Sequence, residues 1–331
     1  MKRAIILTLV LIPLAAFIAG CGTDTPVTPT SSTTTTTTTT TTIPHWSYQT
    51  SGTTQELWSL EFIDANTGWV VGKAGTILKT ANGGATWTAQ TSGTTVSLNG
   101  VSFVDANNGW IAGDGGTILG TTNGGTSWTA LTTQTIADLY STWFADSNVG
   151  WVAGSGGELR HTINGGYFWG SQATGSNTPI NDIFFNDVAT GWLVRPGGVI
   201  MKTTDGGATW ATKTSGVTAT LEAVVFQNSN TGWVAGAGGT ILKTTNGGTN
   251  WTALTSGTTA ELVAVDFYGA SEGWAIGNRS STEGITLRSH DGGATWTQEA
   301  VATHRLNDIY FIDTGHGWAV GSGGHILKYV P

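Results

Sequence analysis

The sequence predicts an all-β fold: a seven-bladed β-propeller of four-stranded blades, closed by an N-terminal strand that completes the last blade. Three observations predict it. The dipeptide Gly-Trp recurs with its tryptophan at Trp69, Trp110, Trp151, Trp192, Trp233, Trp274 and Trp318, at intervals of 41 residues until a last interval of 44. A second series, Trp46, Trp87, Trp128, Trp169, Trp210, Trp251 and Trp296, keeps the step of 41 until a last interval of 45. Repeats of roughly 40–45 residues, each holding four short strands, are the mark of propeller blades. The composition agrees, with 49 glycines and 16 tryptophans but few charges, as short strands and tight turns require.

The elements follow in order along one unit. Leu57 to Ile63 reads as an apolar strand A, Asp64-Ala65-Asn66-Thr67-Gly68 as a turn, and Trp69 to Gly72 as strand B. Lys73-Ala74-Gly75 turns into strand C, Thr76 to Thr80, and Asn82-Gly83-Gly84 turns into strand D, which holds Trp87. A lone four-stranded sheet cannot bury both faces, whereas blades stacked in a ring cover one another and leave no free end. The last unit stops at Pro331, after its third strand. Its missing strand lies at the other end of the chain, where Trp46 to Thr54 (WSYQTSGTT) aligns with Trp87 to Thr95 (WTAQTSGTT). The segment Ile43 to Gln49 is therefore expected to be essential to stability.

The chain divides into three parts. Lys2 and Arg3 precede an apolar run from Ala4 to Ile18, too short for a comfortable membrane span, which predicts a signal peptide over residues 1–20. The run ends in Ile18-Ala19-Gly20-Cys21, which resembles the bacterial lipoprotein signal and implies lipidation of Cys21. Cys21 is the only cysteine, so a disulfide within one chain is impossible. In such lipoproteins an aspartate after the cysteine holds the protein at the inner membrane. Here the residue is Gly22, so the expected location is an exported, anchored protein at the outer membrane or cell surface. Residues 21–44 are mostly Thr, Ser and Pro, with an unbroken threonine run from Thr33 to Thr42, and predict a tether reaching on the order of 25–30 Å as a random coil. Residues 45–331 are the propeller.

The turn between strands C and D reads Thr80-x-Asn82-Gly83-Gly84-x-x-Trp87 and recurs five times, with Asn123, Asn164, Asp205, Asn246 and Asp291 at the acidic position. This resembles the Asp-box of BNR-type propellers. A short side chain there accepts backbone N–H groups across the turn, and its tolerance of asparagine argues for a structural role without a required charge. The repeated pattern FxDxxxGWxxGxxGTILKTxNGGxxW, clearest from Phe62 to Trp87 and from Phe226 to Trp251, resembles the photosystem II assembly-factor-like propellers, a branch of the BNR/sortilin-like group. That resemblance implies a non-catalytic interaction or assembly module, in whose photosynthetic members an arginine-rich patch engages a reaction-centre protein. The arginines here are Arg3, Arg160, Arg195, Arg279, Arg288 and Arg305, and they form no run. Sialidases also carry Asp-boxes, but an arginine triad, a nucleophile pair and an acid are not assembled in this sequence, so no catalytic residue is predicted.

The candidate binding face is the one formed by the D–A and B–C loops. Most of these loops are short and bland, so departures from the consensus carry the information. Blade six extends its B–C loop from Asn278 through Arg279 to Glu283, and blade four places Arg195-Pro196 where glycine is usual. One position at the start of strand A runs Trp58, Asn99, Tyr140, Asn181, Glu222, Val263 and Asn307. On the opposite face a cation precedes most Asp-boxes: Lys79, Lys202, Lys243, Arg288 and Lys328, with His161 in blade three and Gly120 in blade two. These read as solvated strand-end side chains, and the net charge of −8 argues against nucleic acid as a partner. No metal or cofactor is expected. The expected partners are the membrane, through Cys21, and an envelope or extracellular protein bound by a monomer, with a glycan as the alternative suggested by the many tryptophans.

Overall fold

The computed structural model describes residues 45–331, so the signal peptide, Cys21, the tether and Ile43-Pro44 lie outside the described residues. Seven antiparallel four-stranded sheets form the propeller. Blade 1 is Leu57–Phe62, Gly68–Gly72, Ile77–Thr80 and Thr88–Ala89, strands A to D in that order. Five further blades repeat this meander, and the A strands of successive blades contact one another, blade 7 included, so they line the central channel. Blade 7 takes Leu306–Phe311, Gly317–Gly321 and Ile326–Val330 from the C-terminus and His45–Gln49 from the N-terminus. The register pairs His45 with Val330 and Gln49 with Ile326, which closes the ring as the sequence predicts.

A three-ring aromatic stack repeats at each of the seven blade interfaces. The phenylalanine that ends strand A stacks flat on the Gly-Trp ring of the preceding blade, as Phe103 does on Trp69 at 3.5 Å between centroids, 10° apart. The strand D tryptophan of its own blade meets it edge-on, as Trp128 does at 5.9 Å and 88°. The same trio occurs at the closure, where Phe311 lies between Trp274, at 3.6 Å, and Trp46, at 5.8 Å. Such pairs contribute roughly 0.5–1.5 kcal/mol each beyond the area they bury. The glycine of the Gly-Trp pair follows from this packing: a Cβ on Gly68 would lie 2.5 Å from the Phe62 ring, so only hydrogen fits.

Hydrogen bonds tie the same interfaces. Six of the seven Gly-Trp indoles donate Nε1–H to the first Asp-box glycine carbonyl of the next blade, from Trp69 to Gly124 at 3.3 Å through Trp318 to Gly83 at 3.2 Å. Trp274 is the exception among the described residues, because blade 7 ends without a C–D turn to accept from it. A side-chain cluster replaces that bond. Arg288 lies over the rings of Trp274 and Tyr329, pairs with Glu272 at 3.1 Å and Glu299 at 3.4 Å, and donates to the Tyr329 hydroxyl. Burial raises Tyr329 to about 12, which keeps its hydroxyl protonated. Burial also works against the Glu272 carboxylate, but hydrogen bonds from His290 and Arg288 outweigh it and hold Glu272 below the usual range.

Candidate functional site

The six Asp-box side chains are turned into their own hairpins. Each Oδ1 accepts the backbone N–H four residues on, as Asn82 does from Thr86 at 2.9 Å and Asp291 from Thr295 at 2.8 Å, and Asn123, Asn164, Asp205 and Asn246 repeat the bond at 2.9 Å. The preceding threonine or serine hydroxyl donates to the same oxygen, from Thr80 to Asn82 at 3.0 Å and from Ser289 to Asp291 at 2.9 Å. Where the residue is aspartate, the Thr209 or Thr295 hydroxyl is the largest of the contacts that hold its carboxyl down at about 2.

The cation ring is half-buried and engaged across the blade interfaces, not made of the free, solvated strand ends expected from the sequence. Lys79, Lys202 and Lys243 each donate Nζ–H to the Asp-box glycine carbonyl of the next blade, at 2.9, 2.8 and 2.7 Å, and lie 4.9–5.3 Å from the centre of the Gly-Trp ring. His161 stacks on Trp151 in the same place, and burial lowers its basicity. Burial likewise lowers Lys79. The reason is geometric: the strand C side chain before the Asp-box points across the blade interface, where a carbonyl and an aromatic face both attract a cation. These groups are part of the scaffold.

On the loop face the structure sorts the predicted residues. Asn99, Asn181 and Asn307 donate Nδ2–H to the strand A carbonyl of the next blade, at Leu139, Leu221 and Leu57, 2.8–2.9 Å away, so they latch blades together at the rim. Asn181 also donates to Glu222 at 3.0 Å. Burial, and then the charge of Glu261, raise the Glu222 carboxyl. Trp58 is half-buried, while Tyr140, in strand A of blade 3, is exposed, and Ile136 of the D–A loop before that strand is more exposed still.

Arg195 is a correction: it is 1% exposed and presents nothing at the face. In five blades the residue after the last strand B glycine donates its N–H to the carbonyl just before strand A, as Lys73 does to Glu56. Pro196 has no N–H to give, that clasp is lost, and the Arg195 side chain folds inward to donate to the Thr174 hydroxyl.

Arg279 and Arg305 converge. Both line a surface groove of about 610 Å³ with Glu261, Asn278, Ser280 and Gly238, between the loops of blades 5, 6 and 7. Arg279 pairs with Glu283 at 3.1 Å and donates to Gln298, which braces the extended loop. Asn278 fixes the groove floor by exchanging two bonds with Leu306, 2.8 and 2.9 Å. Nothing in the repeat pattern marks Arg305, which lies 26 positions beyond Arg279 and comes to the same groove only through the blade order.

The channel wall carries acids that the sequence reading passed over. Asp182 accepts from Ser141 Oγ, Val224 N and Ile183 N at 2.8–2.9 Å, bridging blades 3, 4 and 5. Asp308 does the same for blades 7 and 1, from Ser59 Oγ, Leu60 N and Ile309 N at 2.8–3.0 Å. Both border the channel and are in reach of water there, yet protein encloses them on every other side. That enclosure raises Asp182 to about 6 and, with the charge of Asp182 added, Asp308 to about 7. Their oxygens are committed to strand A backbone, so they act as inter-blade staples.

The tryptophans do not form an exposed sugar platform. Among the described residues no tryptophan is exposed, and the seven Gly-Trp rings are 0–4% exposed. No group of three or more metal-ligating side chains occurs among the described residues.

Comparison with known proteins agrees with this architecture. The family model "Photosynthesis system II assembly factor YCF48" matches residues 38–136, 168–259 and 214–299, together well over half of the chain. A solved structure of YCF48 bound to a D1 peptide superposes with a TM-score of 0.73 at 23% identity, covering 86% of this chain and 95% of that one. YCF48 from Cyanidioschyzon merolae gives 0.73 at 20% identity, covering 86% and 98%. The GH74 xyloglucanase from Xanthomonas campestris gives 0.70 at 14% identity and covers 86% of this chain but 53% of its own, a likeness of fold alone. No curated sequence matches. By its repeats, its seven closed blades and the matching family model, the chain belongs to the photosynthesis system II assembly factor YCF48 family.

Proposed function

We propose that this protein is a non-catalytic interaction or assembly module, tethered to the membrane through a lipid on Cys21, that presents its loop face to a segment of an envelope protein. The observation that carries the reading is the groove of about 610 Å³ between blades 5 and 7, where Arg279 and Arg305 stand beside Glu261 on a rigid rim. A groove with both signs of charge and backbone-braced walls suits an extended peptide bearing a carboxylate, since guanidinium groups bind carboxylates in a paired geometry. The peptide-bound YCF48 structure supports the class of ligand. The tryptophans are not exposed, and the channel acids Asp182 and Asp308 commit their oxygens to the strand A backbone, which favours the interaction reading over a glycan-processing one.

The test is chemical crosslinking in intact cells of the native host, followed by capture of this protein. One envelope protein is expected to co-purify, and its yield is expected to fall at least about tenfold in the Arg279→Ala/Arg305→Ala variant, since a charge-assisted hydrogen bond is worth about 1.5–3 kcal/mol. Capture unchanged by both substitutions, or glycan in place of protein, would overturn the proposal.

A further inference from the structure

We infer that the Asp-box face lies against the membrane and that the blade 3 Asp-box turn inserts its side chains into the bilayer interface. The inference rests on the anchored reading above. It starts from an anomaly in a regular series. In five of the six Asp-box turns the positions flanking the glycines are small or polar: Ala81, Ala85 and Thr86 in blade 1, and Thr204, Ala208 and Thr209 in blade 4 are typical. Blade 3 has Ile163, Tyr167 and Phe168 instead, and they are 70%, 82% and 57% exposed.

The change sacrifices a bond. In four of the other turns a hydroxyl at the position of Phe168 pairs with the Asp-box side chain, at 2.9 Å for Thr86 with Asn82 and Ser127 with Asn123, and at 2.6 Å for Thr209 with Asp205 and Thr295 with Asp291. Phe168 has no hydroxyl to contribute. The turn thus gives up a stabilising contact and places three large apolar or amphipathic groups in water, which a turn with only a structural task would not need.

The point where the chain enters the fold says what covers them. His45 pairs with Val330 at the strand C end that leads, in every other blade, into the Asp-box. His45 therefore occupies the repeat position of Thr86 and Phe168, at the same edge of the propeller. The 44 residues outside the described structure, with Cys21 among them, thus join the propeller on the Asp-box side. A lipid on Cys21 would bring that side to the bilayer and leave the Arg279–Arg305 groove facing away, free for a partner. Tyr and Phe suit the headgroup boundary, where one end of the ring is wet and the other apolar. The same edge carries Asp64, Asp105, Asp146 and Asp187 in exposed A–B turns, so the surface that fits is zwitterionic, not anionic.

The test uses the full mature chain purified from a bacterial host that acylates lipoproteins, reconstituted on phosphatidylcholine–phosphatidylethanolamine vesicles. The vesicles are doped with a phospholipid that carries a diazirine near its glycerol, and adducts are mapped by mass spectrometry. Labelling of residues 163–168 is expected at least tenfold above residues 81–86, the equivalent turn of blade 1, and is expected to drop when anionic lipid is added. The variant Ile163→Thr/Tyr167→Ala/Phe168→Thr restores the common turn and is expected to lose the enrichment. On acylated protein, labelling concentrated at Ile136 and Tyr140, or none enriched at 163–168, overturns this inference and leaves the anchor standing. An unacylated Cys21 peptide in the same spectra overturns the anchor reading and this inference with it.

Discussion

Each phenylalanine that closes a strand A is clamped by two tryptophans from two blades, so truncating one empties a site that no neighbour can collapse into. Phe144→Ala is expected to destabilise the propeller by about 3–5 kcal/mol, read by denaturant unfolding. A smaller effect of opposite sign is expected at Ala74, which holds φ at 56° where blades 2 to 5 and blade 7 place glycine. Ala74→Gly relieves a left-handed alanine and is expected to stabilise by roughly 1 kcal/mol. The channel acids give a pH signature. Asp182 and Asp308 have folded-state values of about 6 and about 7, above the 3.8 of a free aspartate. Groups raised in this way contribute stability that is complete below about pH 4 and is lost as the pH climbs through 6 and 7. The melting temperature of the wild type is thus expected to fall from pH 4.5 to pH 8 more steeply than that of Asp182→Asn/Asp308→Asn. Parallel curves for the two proteins would remove the ionisation account.

At the scale of elements, the strands and their order were legible because the repeat prints them seven times, and the alignment of Trp46–Thr54 with Trp87–Thr95 exposed the closing strand. The direction of individual side chains was not legible. Lys79 and its equivalents look like solvated strand ends in sequence, yet the partner that captures them, a glycine carbonyl 45 residues away for Lys79, exists only once blades are stacked. Arg195 and Pro196 read as an elaborated loop, but the missing proline N–H turned the change inward. The seam between blades 6 and 7 is where element energetics differ most from the repeat, since Trp274 lacks its acceptor and Arg288 holds two carboxylates and a phenol ring in its place. Arg288→Met leaves Glu299 without its cation and Glu272 with His290 alone, and is expected to cost about 3–5 kcal/mol. The equivalent Lys243→Met removes one of two donors to the Gly292 carbonyl and leaves Trp233 as the other, so it is expected to cost less, about 0.5–1.5 kcal/mol in the same unfolding measurement.

For the whole molecule, the ring separates two jobs. Its interior and the Asp-box hairpins are committed to holding blades together through stacked rings, indole bonds, inward cations and channel carboxylates. The loop rim is released from that task where blade 6 lengthens its B–C loop and Arg305 comes alongside. Sequence comparison located the Arg279 loop as a departure, but the groove needed the fold, because its walls come from three blades. The central claim is that a partner protein sits on this rim. It is tested most directly by placing a photo-crosslinking amino acid at Ser281 in one variant and at Thr126, on the Asp-box side, in another, then irradiating intact cells. The account predicts a single protein adduct from Ser281 and none from Thr126; the same adduct from Thr126, or adducts from Thr126 alone, would contradict it.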